Sequence, residues 1–131
     1  MDENLKNSFF IDENPDDKKI EEFTRRIIPY CRPNKTGAII FVNQDIKSLD
    51  RVKASLVVRY IAHHMESSIP NEIMPNEFES LVDIPKDQVK ARLKDIRDEK
   101  FADVTENGGY RVKPHEISKF LDKLDEKYGE V

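Results

Sequence analysis

The side chains of this sequence whose types and spacing could do chemistry lie in residues 85–113, IPKDQVKARLKDIRDEKFADVTENGGYRVK with its leading Ile84. Lys86, Lys90 and Lys94 repeat at i, i+4 and i+8, and Arg97 follows three positions later. At about 100° per residue of a helix these four fall along one flank, with Gln88, Arg92 and Asp95 on the other. Like charges one turn apart repel by roughly 0.2–0.5 kcal/mol per pair in an isolated helix. Such a row weakens its own helix slightly. Two uses fit it: a solvated face partly relieved by Asp87 and Asp98, or a face that meets an anion.

The elements that must position this row can be read from hydrophobic spacing and turn residues. Val89, Leu93 and Ile96 at i, i+4, i+7 predict a helix over 85–100 whose other side faces a core. Residues 101–104 and 110–112 are short β-prone runs, and Glu106-Asn107-Gly108-Gly109 supplies the positive-φ positions of a hairpin turn. Upstream, Asn76 with Glu79 three positions on predicts a short helix to Leu81 or Val82, and Val82-Asp83-Ile84-Pro85 makes a turn with Pro85 in the first turn of the basic helix. Residues 49–65 hold no Gly or Pro and take Ser48 or Asp45 as N-cap. One face there is Ala54, Val57, Val58, Ile61 and Met65; the other is Leu49, Val52, Leu56 and Tyr60. The segment is the spine of the domain, unless one face packs on its copy in a dimer. Residues 67–74, with Pro70, form an irregular link.

Outside this unit the chain is simpler. Residues 1–14 predict a loose arm whose Phe9, Phe10 and Ile11 dock on the body or on a second subunit. A short helix follows from Pro15, burying Ile20, Phe23 and Ile27 and stopped by Pro29. Residues 33–37 are a turn, and Ala38-Ile39-Ile40-Phe41-Val42 is the best strand by composition. Its lack of alternation predicts burial on both faces, with pairing to residues 27–31 or to the strands after the basic helix. From Pro114 a last helix repeats Ile117, Phe120, Leu121, Leu124 and Tyr128 at i, i+3, i+4, i+7, i+11. That stripe is either core or a dimerisation face.

Composition narrows the class of protein. A length of 131 residues suits one domain, or one domain with an arm. No apolar run approaches the roughly 20 residues of a membrane span, and the N-terminus lacks a basic head and apolar signal core, so a cytoplasmic protein is expected. The single Cys31 cannot form an internal disulfide. His63 and His64 point about 100° apart on a helix with no third ligand at i+4, and His115 is expected exposed, so neither metal nor cofactor is expected. A Gly-rich phosphate loop, a nucleophile with an ordered base and a spaced carboxylate pair are all missing, so an enzyme is not expected. The formal net charge of −4 runs against nucleic acid as a partner. Its distribution does not, because residues 86–97 carry five bases against two acids, and phosphate contact needs only local positive charge.

Taken in order, a spine helix, a short helix, a basic helix, then strand, ENGG turn and strand resemble the winged helix-turn-helix family. The run SLVDIPKDQVKARLKDIRDEKFADVTENGGYRV is similar to small prokaryotic, particularly archaeal, regulators of that kind. The resemblance covers residues 48–113 and is carried by pattern: a turn proline, an alternating basic and apolar helix, an Arg-Asp-Glu-Lys exit and a Gly-containing wing. It implies an α+β fold, mainly α, with residues 1–47 as an N-terminal extension and 114–131 as a C-terminal amphipathic helix. It also implies that the basic helix enters the major groove of double-stranded DNA while the wing touches phosphate or the minor groove. By position, Lys86, Gln88, Lys90 and Lys94 lie at or near bases and phosphates, and Arg111 and Lys113 flank the wing; Arg97 joins the three lysines in electrostatic contact. Gln88 and Arg92 could read adenine and guanine by paired hydrogen bonds, although Arg92 can equally pair with Asp95. A homodimer would set two such helices on successive grooves. Glu106 and Asn107 at the wing tip, and Asp87 at the start of the basic helix, depart from the pattern. They favour the alternative, a winged-helix module that binds protein, with the N-terminal extension as a further partner surface.

Overall fold

The computed structural model describes residues 2–9, 16–35 and 38–129. Helix α1, Glu3–Phe9, starts where Asp2 Oδ1 accepts from Asn4 N at 3.0 Å, and it buries none of its residues. The expected loose arm therefore contains two helical turns; Phe10, Ile11 and Pro15 lie outside the described residues. Helix α2, Asp17–Ile27, is capped by Asp16, whose Oδ1 accepts from Lys19 N at 2.9 Å, and buries Ile20, Phe23 and Ile27. It stops two residues before Pro29, which cannot donate to the ladder.

Strands β1, Cys31–Pro33, and β2, Ile39–Phe41, pair antiparallel with Cys31 opposite Phe41. The expectation of burial on both faces is corrected here. Ile39 and Phe41 are buried, whereas Ile40 and Val42 are exposed, because a two-stranded hairpin set on helices has only one covered face. The partner strand begins at Cys31 rather than spanning 27–31.

Helix α3, Ser48–Met65, is buried on both sides, by Val52, Leu56 and Tyr60 and by Ala54, Val57, Val58 and Ile61. Neither Ser48 nor Asp45 caps it; Lys47 occupies the cap position without a side-chain bond. Arg51 orders the preceding loop instead, donating from Nε to Ile46 O at 2.7 Å and from Nη2 to Gln44 O at 2.9 Å. At the other end His63 Nδ1 lies 2.6 Å from Ile69 O, and the His64 ring stands edge-on to Tyr60 at 4.5 Å.

A 3₁₀ turn, Pro75–Glu77, leads into the short α4, Phe78–Val82, and then α5, Lys86–Asp98. Strands β3, Ala102–Val104, and β4, Tyr110–Val112, form a second antiparallel hairpin. The link before α4 contributes a third rung: Ile73 and Tyr110 exchange two backbone hydrogen bonds of 2.9 Å. Helix α6, Pro114–Tyr128, closes the chain. The result is an α+β fold, and its order of α3, α4, α5 and hairpin is compatible with a winged helix.

Helix α6 settles between two expectations. Ile117, Phe120, Leu121 and Leu124 are buried within the subunit and Tyr128 is half-buried. The stripe is therefore core, and its assignment to dimerisation is corrected: α6 packs on α2, Phe120 meets Phe101 at 5.5 Å, and Tyr128 OH donates to the buried Asp50 at 2.7 Å. Polar bonds fasten the same packing. Arg26 Nη2 donates to Asp122 at 2.7 Å and Asp125 at 3.0 Å, and Tyr30 OH donates to Asp125. Burial, reinforced by Asp125, pushes the Tyr30 hydroxyl up to about 12. Tyr30, then Arg26, hold the Asp125 carboxyl below its ordinary value.

Truncating a fully buried leucine here creates a cavity. Leu121→Ala should lower the unfolding free energy by about 2–5 kcal/mol in urea denaturation, where a dimer-face residue would change self-association instead. The sign of the acid response follows from the depressed Asp125. Its contribution is present above the ordinary carboxylate pKa and fades as pH falls through the lower folded value. Asp125→Asn should therefore reduce the gap between the urea midpoints measured at neutral pH and at acid pH.

Candidate nucleic-acid interface

Geometry at both ends fixes how α5 is presented. After α4 the chain turns at Asp83, whose φ of 53° and ψ of 52° are left-handed. Asp tolerates that conformation better than most residues. Buried Val82 and Ile84 anchor the turn from either side, and Pro85 takes the N-cap position rather than the first turn. At the far end Lys100 is also left-handed, with φ of 59°. Its amide donates to Arg97 O and that of Phe101 to Ile96 O, each at 3.1 Å, a closing arrangement that stops the helix and releases β3 in a new direction. The helix ends at Asp98, two residues before the expected 100.

Between those ends Val89, Leu93 and Ile96 are buried and α5 packs on α3. Lys86, Gln88, Lys90, Lys94 and Arg97 are exposed. Among the described residues none of Lys86, Lys90, Lys94 and Arg97 forms an ion pair, and Gln88 makes no side-chain hydrogen bond. The four cations do not all point the same way. Lys86, Lys90 and Arg97 line one wall of a groove of about 500 Å³, with Val89, Leu93 and Tyr110 also lining it and Pro75, Asn76 and Glu79 completing it. Lys94 lies outside that groove.

The remaining expected site residues are less available. Arg92 takes the alternative held open for it: its Nε lies 2.8 Å from Asp95 Oδ2. The approach is too bent to count as a hydrogen bond, and the Nε is buried. Lys113 is half-buried with its Nζ 3.8 Å from Asp103 Oδ1. Arg111 is exposed and stands directly across the hairpin from Asp103.

No family model, no curated protein and no solved structure matches this chain. Its chemistry rests on the arrangement of side chains alone.

The hairpin tip is held by the expected turn residues together with Thr105 and Glu72, which sequence spacing did not single out. Gly108 has φ of +85°, the conformation expected of the ENGG turn, while Gly109 N donates to Thr105 Oγ1 at 3.1 Å and Thr105 N to Gly109 O at 2.8 Å. Glu72, from the link before α4, accepts from Asn107 Nδ2 at 3.2 Å. Hydrogen bonds from Thr105 and Asn107, with Arg111 nearby, hold the Glu72 carboxyl below its ordinary value. A carboxylate thus braces the wing tip from below, and a Cβ on Gly109 would come within 2.8 Å of it. The sequence reading of residues 67–74 as an irregular link gave no sign of this contact. Asn76 and Glu79 were read only as the start of a short helix, and nothing in the spacing placed them with Pro75 on the far wall of this groove.

The turn at Asp83 sets the angle at which α5 leaves α4, and it is sensitive to side-chain branching. Asp83→Val should destabilise the protein by about 1–2 kcal/mol in chemical denaturation, and Asp83→Gly should be tolerated at much smaller cost.

Proposed function

We propose that the chain is a winged helix-turn-helix protein that binds double-stranded DNA as a transcriptional regulator. One observation carries this. In a chain rich in acids, Arg25, Arg26, Lys53, Arg59, Arg92, Lys113 and Lys127 all find a carboxylate within 4 Å. Among the described residues Lys86, Lys90, Lys94 and Arg97 do not, and neither do other exposed cations such as Lys119 and Lys123 on α6; what sets these four apart is that they share one helix, α5. Unpaired, exposed cations in a row along a rigid helix match the spacing of a polyanion, and phosphate contacts supply most of the affinity of such complexes.

In the proposed complex α5 lies in the major groove. Lys86, Lys90 and Arg97 face a phosphodiester strand along the groove between α5 and β4, and Lys94 reaches the opposite side. Gln88, exposed near the start of α5, is the candidate for base readout. Arg92 reads a base only after releasing Asp95, so sequence discrimination by this residue is opposed by its own ion pair. Arg111 supplies the wing contact; Lys113, tied toward Asp103, supplies less.

A second proposal is favoured by a different set of side chains. Glu79 stands in the groove among the cations, and Glu106 is exposed at the wing tip. Both would repel phosphate and accept a lysine or arginine from a protein, so an interaction module with a partner of mixed charge is the alternative. Gel retardation of mixed-sequence duplex at low salt separates the two, because even a non-specific DNA binder shifts there. For the DNA reading, about four phosphate contacts per subunit give a log–log salt slope of roughly −3 to −4. Lys90→Ala and Lys94→Ala should each flatten it by about one unit. No shift at low salt, or an unchanged slope in both variants, sinks the DNA assignment.

A further inference from the structure

We propose that the groove which α5 forms with α4 and β4 binds a free mononucleotide whose base carries an amino group. The phosphate lies on Lys86, Lys90 and Arg97 and the base edge on Glu79, residues that line the groove from two sides. This goes beyond the DNA reading. The two share three cations but fail separately, because the nucleotide test contains no DNA.

Charge is divided across the groove. Among the described residues no oxygen of Glu79 comes within 4 Å of Lys86, Lys90 or Arg97, although all four line the same space. A ligand that spans this gap needs an anion at one end, hydrogen-bond donors at the other and an apolar body between. Three cations against one acid leave an excess of positive charge, which a phosphate monoester, at about −1.5 to −2 near pH 7, matches better than a single carboxylate does. The floor supplies the middle. Val89, Leu93 and Tyr110 line it with apolar surface, which a base covers and a phosphodiester strand leaves unused. A volume of about 500 Å³ lies within the roughly 300–1,000 Å³ of small-molecule sites, whose lining is mostly apolar with a few placed polar groups.

Glu79 selects the base. An ionised carboxylate only accepts hydrogen bonds, so it favours the exocyclic amino group of cytosine or adenine over uracil, which has a carbonyl oxygen where cytosine has its amino group. Asn76 on the same wall offers both a donor and an acceptor to the rest of the base edge. None of the polar groups of the site is used to hold its walls. Val89, Leu93 and Ile96 fix α5 in the core, Met74 N donates to Glu77 Oε1 at 3.0 Å in the 3₁₀ turn, and Phe78 meets the Tyr110 ring at 6.3 Å. A site shaped by its scaffold loses little freedom on binding.

Isothermal titration calorimetry of the full chain should show CMP and AMP binding one to one, at least about tenfold tighter than UMP or inorganic phosphate, the effect of one hydrogen bond to a charged group. Glu79→Ala should abolish the difference between CMP and UMP without weakening UMP, and Lys90→Ala should weaken all three nucleotides by a similar factor. Both positions are exposed, so far-UV circular dichroism and the melting temperature without nucleotide should be unchanged, which separates lost binding from lost folding. CMP and AMP that fail to bind, or that bind no more tightly than UMP or phosphate, as a general attraction of anions to the lysines would give, overturn the proposal. So does a CMP preference that survives in Glu79→Ala.

Discussion

Burial of α3 on every side is the constraint on which the rest of the structure depends. Helices α2, α4 and α5 and strands β1 and β4 all pack on it, and each large side chain it buries contributes about 1.5–3 kcal/mol. What α3 cannot bury it uses to position its neighbours. Lys53, half-buried on α3, reaches Glu99 just past the end of α5 at 2.7 Å. Arg59, two turns on, donates to Glu72 O at 2.8 Å and lies 3.5 Å from Glu77 at the start of α4. The α4–α5 pair is thereby clamped near both ends by cations from the spine. With Val89, Leu93 and Ile96 committed to the core, the direction of every exposed residue on α5 follows.

How much of this was legible in the sequence divides along the line between local and non-local causes. The apolar stripes of α2, α5 and α6, the ENGG turn and the break at Pro29 are set by residues within a few positions of one another, and spacing and turn chemistry reveal them. The ion pair of Arg92 with Asp95 is also local, three positions apart, and was visible as one of two options. The uses of surfaces were not visible. Ile40 and Val42 look like core residues by type, and they are exposed because no second layer covers the hairpin among the described residues. The stripe of α6 reads equally well as core or interface, because periodicity says that a face is covered and not by what. The groove beside Lys86 and Lys90 is built from the 3₁₀ turn, α4 and β4, which are brought together by tertiary packing alone.

The acid excess of the chain bears less on α5 than the net charge suggests. Some of the acids are engaged elsewhere, as on α6, where Arg26 holds Asp122 and Asp125, and solvent screens exposed charges over about 8 Å at physiological ionic strength. Among the described residues the four cations of the row on α5 form no ion pair, and each of its turn-spaced pairs carries a small repulsion. The helix stays folded because its opposite side is buried, so its stability comes from packing and not from its surface. A polyanion laid along the row would remove that repulsion as it bound. By linkage, binding and the local stability of α5 then rise together, and a helix whose surface alone would loosen it becomes firmest in the bound state.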